Sequence, residues 1–198
     1  MIGRTDVPLH ELGIEQARCT AAVLRDKNLN AIFSSPLLRA VQTAEVIAAE
    51  CPGLTVIQKT GLEELHLGLV DGLSSFMAYE QFRAEMDRAL DTSIDDFSFP
   101  AGESRLDALQ RFSKAMDEIV HNYATESVCI VTHGGPLGLW LAHMQGLPLG
   151  MFRMHQPSHA SITEVEYSNR AYTIKRFNVV KHATHLERQI EELQSGLP

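Results

Sequence analysis

Cysteine is scarce in this chain. Cys19, Cys51 and Cys129 form an odd set with no CxxC spacing. That argues against a disulfide framework and against a thiolate metal site, and fits reduced thiols in a cytoplasmic protein. No apolar run reaches the length of a membrane helix, and no cationic-then-apolar leader opens the chain. Positive charge is in deficit, with 17 Lys and Arg against 25 Asp and Glu and a formal net charge of −8. The pI is about 5.5. Nucleic acid and anionic membranes are therefore poor partners, although a local cationic pocket for a phosphate ester is compatible with that balance. Internal repeats and low-complexity tracts are absent from the sequence. What remains, 44% hydrophobic and 21% charged over 198 residues, is ordinary globular material, enough for one domain with a real core.

Within it, the run Val128-Cys129-Ile130-Val131-Thr132-His133-Gly134-Gly135 is the most informative. A β-type run that stops at a polar residue and two glycines, with a helix next, places His133 at the C-terminal rim of a parallel sheet, where ligands of open α/β sheets bind. Glycines allow backbone N–H groups to approach a ligand, and the helix offers its positive end to an anion. The plainer alternative is a histidine that only caps a helix. A second strand–turn–helix, Ala31 through Glu45, carries Ser35 as a candidate N-cap, Pro36 in the first helical turn and Arg39 near the same rim. Arginine is the side chain best shaped for bidentate phosphate binding, and the pair favours the ligand-binding reading.

The remaining pattern predicts helices over 11–27, 36–50, 74–90, 103–123 and 136–144. Strands are predicted over 31–34, 54–58 and 128–132, and a hairpin over 160–177 turning at Ser168-Asn169-Arg170. Strands alternating with helices give an α/β fold in three layers: a mostly parallel sheet, helices on both faces and an antiparallel edge hairpin. Residues 1–186 read as one domain and residues 187–198 as a polar C-terminal helix or tail, which leaves room for a homodimer.

Several segments together resemble the histidine phosphatase superfamily, the phosphoglycerate-mutase-like group. They are Ser34-Ser35-Pro36-Leu37-Leu38-Arg39-Ala40-Val41-Gln42-Thr43-Ala44 and Thr132-His133-Gly134-Gly135, with Gly3-Arg4-Thr5-Asp6-Val7-Pro8-Leu9 and Leu62-Glu63-Glu64-Leu65-His66-Leu67-Gly68. Gly102-Glu103-Ser104, Arg111 and Pro157-Ser158-His159-Ala160-Ser161-Ile162 extend the likeness. The resemblance implies phosphoryl transfer through a phosphohistidine, which needs positioning and charge neutralisation more than covalent chemistry. It implies Arg39, His133 and the Gly134 N–H as phosphate-binding groups, with His133 a charged donor, and Glu64 as the acid that protonates the leaving alkoxide. Glu63 is the neighbouring rival for that role. His66 is assigned a structural role, and Arg4 either faces the pocket mouth or lies in solvent. No metal or cofactor is expected, because arginines and histidines supply the charge.

The family's first strand ends in Arg-His-Gly and bears the nucleophile. That tripeptide occurs nowhere in this chain. His10 falls where a helix N-cap is expected and is no replacement. The sheet would lose an interior strand, at a cost in unpaired backbone and apolar surface, so the expectation is an N-terminal segment missing from the chain rather than an evolved loss. The mutases of the family carry an insertion between the acid loop and the later helix. Here Gly72 and Gly102 lie only 30 positions apart. The resemblance therefore implies the phosphatase branch, acting on a small phosphorylated metabolite. The alternatives are a catalytically dead phosphate-binding protein and a phosphoglycerate mutase.

Overall fold

A computed structural model describes residues 1–186. Three short strands, β1 (Ala31–Ser34), β2 (Val56–Gln58) and β3 (Val128–Val131), form a parallel sheet in the order β2-β1-β3. Ser34 pairs with Gln58 on one side and Val131 on the other, so all three strands end at one rim.

Alternation along the strands builds the layers. Ala31 and Phe33 of β1 pack with Leu109, Phe112 and Met116 of α5 (Arg105–Asn122) and with Leu139 and Trp140 of α6 (Gly134–Met144). Ile32 points the other way, into a cluster with Ala21 of α1 (Glu11–Leu24) and Ala44 and Ile47 of α2 (Leu38–Ala49). β3 divides likewise: Val128 and Ile130 pack on the α5–α6 side, Cys129 and Val131 on the α1–α2 side. Burial pushes the Cys129 thiol up to about 12. A third cluster, of Val70, Ala78, Met86, Ala89, Phe97 and Phe99, joins α3 (Ser75–Gln81) and α4 (Arg83–Leu90) beside the sheet.

The hairpin β4 (Ile162–Ser168) and β5 (Ala171–Val179) is antiparallel and turns through Asn169 and Arg170, both at positive φ. It forms its own two-stranded sheet instead of continuing the parallel one. Among the described residues β3 is thus an edge, and its apolar side chains are only partly buried. The sequence suggests one helix over 74–90, but the chain breaks at Phe82 (φ −134°, ψ 41°) into α3 and α4. The polar segment 187–198 lies outside the described residues. Among the described residues no helix is long and apolar enough to cross a membrane.

Residues 1–9 are strapped across the rim. The Asp71 carboxylate accepts the N–H groups of Gly3, Arg4 and Thr5 at 2.7–2.9 Å. Burial alone would raise its pKa, but these three donors hold it below the usual carboxylate range. Gln42 Oε1 takes the Leu9 N–H at 2.7 Å. His10 caps α1, its Nδ1 accepting from Leu12 N at 3.3 Å.

Candidate active site

Each segment that follows a parallel strand contributes to one place on the rim. After β1, the N-cap of α2 is Leu37, not Ser35, and Pro36 stands outside the helix. The Leu38 N–H is served from a distance by Asp6 Oδ1 at 2.7 Å. Ser35 is instead completely buried, and its Oγ lies 2.8 Å from His133 Nε2 while also accepting from Leu37 N at 3.3 Å. This contact joins residues 98 apart in sequence, which is why local reading mistook Ser35 for a cap.

Arg39 sits one residue into α2. Its Nη1 donates to Thr5 O at 3.1 Å and its Nη2 to Gly3 O at 2.8 Å. Nε and the second hydrogen of each terminal nitrogen remain available. Burial draws its pKa down, against Glu64, Asp6 and Asp71, which act to raise it.

After β2 comes the acid loop. Thr132 Oγ1, just past β3, donates to Leu62 O at 2.8 Å, tying the loop to the rim. The Glu64 side chain is partly buried. It accepts the Leu65 N–H at 2.8 Å and, at the start of α6, the Gly135 N–H at 3.3 Å. A side chain at residue 135 would collide with this carboxylate, so Gly135 is needed for a close approach by Glu64. Burial raises the Glu64 pKa, against the pull of the two N–H groups, Arg39 and Arg111. Glu63 has a different job: its Oε2 accepts the Gly61 N–H at 2.7 Å and lies 3.7 Å from Arg111.

Arg39, Glu64 and His133 are thereby brought together, with Gly134 and Gly135 opening α6 beneath them. The surroundings of His133 set the charge of its ring. Burial, then Arg39 and Arg111, lower its pKa to about 3, which favours the neutral imidazole in the ligand-free pocket. The unfolded ring takes up a proton below about 6.5, whereas the folded ring does so only near 3. The unfolded state then binds more protons across that window, and this contribution to stability falls as pH drops through it. Glu64, raised instead of lowered, acts in the opposite sense. Comparison with His133→Gln isolates the histidine: urea titrations between pH 6.5 and 5 should show a steeper loss in the native chain. Parallel curves would mean that His133 titrates normally.

Two further groups, Arg111 and Glu103, were not assigned a role by sequence. Arg111 on α5 donates to Gly61 O and Glu63 O through Nη1 (2.9 and 2.8 Å) and to Glu64 O through Nη2 (3.0 Å). It also pairs with Glu103 at 2.6–2.8 Å. Glu103 in turn accepts the His66 N–H at 2.8 Å. Arg4 completes the set, reaching Glu64 O at 3.3 Å and Glu103 at 3.2 Å, so it belongs to the loop network. The acid loop is held by its carbonyl oxygens, which no side-chain pattern advertises. Arg111→Met should cost about 3 kcal/mol in urea unfolding, as for a broken buried ion pair; a loss below about 1 kcal/mol would reduce the network to surface pairing.

Comparison with known proteins adds to this geometry. The family described as histidine phosphatase superfamily (branch 1) matches residues 1–180. The chain is 33% identical over 168 residues to a probable phosphoglycerate mutase, GpmB, of Yersinia pestis, covering 83% of this chain and 76% of that protein. Among solved structures it is similar to Bacillus stearothermophilus YhfR, with a TM-score of 0.84 and 27% identity over 92% of this chain and 90% of that one. A mycobacterial glucosyl-3-phosphoglycerate phosphatase solved with inorganic phosphate gives a TM-score of 0.79 and 28% identity, covering 90% of this chain and 91% of that one.

Proposed function

The chain belongs to the histidine phosphatase superfamily, branch 1, and from that premise we propose that it is a phosphomonoester hydrolase of the histidine phosphatase type acting on a small phosphorylated metabolite. One observation carries the reading. A partly buried Glu64 whose pKa is raised by desolvation shares the start of α6 with His133, under the charge of Arg39. A cation and a neutral imidazole suit the phosphoryl oxygens, and a carboxyl that resists ionisation suits protonation of a departing alkoxide. Arg39 would clamp the phosphoryl group, with His133 and the Gly134 N–H as further donors. Reaction through a phosphohistidine needs a second imidazole in line with the leaving oxygen, and residues 1–198 hold no Arg-His-Gly to supply it. His10 is engaged in capping α1.

The mutase reading has a specific support in the 33% identity to GpmB. Against it stands the short connection from Gly72 to Gly102, only two small helices long, and the likeness to a phosphatase over nine-tenths of both chains. The test is hydrolysis of p-nitrophenyl phosphate by residues 1–198, with transfer between phosphoglycerates assayed beside it. Turnover barely above background is expected for both. Robust hydrolysis that survives His133→Ala would mean a different chemistry.

A further inference from the structure

We propose that Gln156 is the residue that reads the alcohol half of the substrate, and that it selects phosphate esters bearing a hydroxyl group close to the phosphate. The proposal rests on the phosphate-site reading above and adds the substrate class.

Two glycines on α6 seat this side chain. Gly134 and Gly138 are four residues apart and so lie on one face of the helix. A Cβ at residue 138 would stand 3.3 Å from both the backbone N and the Cα of Gln156, so glycine there lets the turn Leu149–His155 close against the helix. A Cβ at residue 134 would meet the Gln156 side chain itself, 2.7 Å from Nε2, 2.9 Å from Cγ and 3.2 Å from Cδ. The side chain therefore runs back along α6 from Gly138 to Gly134, and its amide ends beside the residue that follows His133. Pro157 keeps the Gln156 backbone extended, at φ −73° and ψ 116°, so the starting point of the side chain is fixed.

What the amide does there follows from its surroundings. Glu64 closes the Gly135 side of the helix start, and Gln156 lies over the Gly134 side. Gln156 is exposed, and among the described residues its amide has no hydrogen-bond partner. It is neutral, so it adds nothing to the charge that holds the phosphoryl group. It offers one acceptor and two donor hydrogens, the complement of a hydroxyl, which both donates and accepts. The part of an ester that projects beyond a phosphate held at His133 and Gly134 is the alcohol.

The experiment is an NMR titration of the full chain and of Gln156→Met, which keeps length and removes the amide, with inorganic phosphate, phenyl phosphate and glycerol 3-phosphate. Loss of one neutral hydrogen bond should weaken glycerol 3-phosphate about three- to tenfold, with inorganic phosphate and phenyl phosphate unchanged. Equal weakening of all three would make Gln156 part of the phosphate site, and no weakening of any would leave it a bystander; either overturns the proposal while the phosphate site stands. A native chain that binds none of them overturns the phosphate-site reading and this proposal together.

Discussion

Arg39→Ala is expected to abolish binding of phosphate and vanadate. With the guanidinium goes a charged fork beside His133 that still has free donors, whereas Arg111 is committed to Glu103 and three carbonyls. A charge-assisted hydrogen bond contributes about 1.5–3 kcal/mol, and a bidentate pair adds geometric fit. Binding by the native chain should be on the order of millimolar, so losing even one such bond puts the variant beyond measurement. His133 cannot replace the fork, because it is a single ring whose Nε2 already lies 2.8 Å from Ser35 Oγ. The variant should still fold. The N-terminal strap loses its bonds to Arg39 but keeps those to Asp71 and Gln42. Calorimetry of vanadate binding, with thermal melts as control, is the check; unchanged affinity in a folded variant would place the anion elsewhere.

Joining a hydrophobic strand that ends in Arg-His-Gly, with a linker, to the N-terminus of the chain should raise hydrolysis of p-nitrophenyl phosphate by orders of magnitude, the scale on which covalent nucleophiles act. There is a place for such a strand. Among the described residues β3 pairs only with β1, its Val128 and Ile130 are only partly buried, and the β4–β5 hairpin forms a separate sheet. An open parallel edge with apolar side chains is a template for a further strand. The matched control ends in Arg-Ala-Gly, which fills the edge without the imidazole. A large gain for the histidine form alone is expected; equal rates for the two would exclude the nucleophile from the mechanism.

Local features of the sequence carry most of the fold. The alternation of Ile32 and Phe33, the β-branched run into His133 and the Asn169-Arg170 turn each specify an element within a few residues of themselves. The misses are non-local or depend on packing. Phe82 interrupts a segment whose helical pattern runs on unbroken. Leu106 matches the apolar stripe of α5, yet is 43% exposed, because the stripe outruns the surface that covers it. At the site, residue types pointed to Arg39, Glu64 and His133. The partners that set their states were hidden: Ser35 meets His133 across two strands, and Arg111 grips carbonyls 47–50 residues away.

The most direct measurement is an amide NMR titration of the native chain with inorganic phosphate. Shifts should centre on Ser35, Arg39, Leu65 and His133 through Gly135, the groups that converge at the start of α6. A response centred on the open groove along α5, lined by Lys59, Lys114, His121 and His143, with the α6 start silent, would contradict the account.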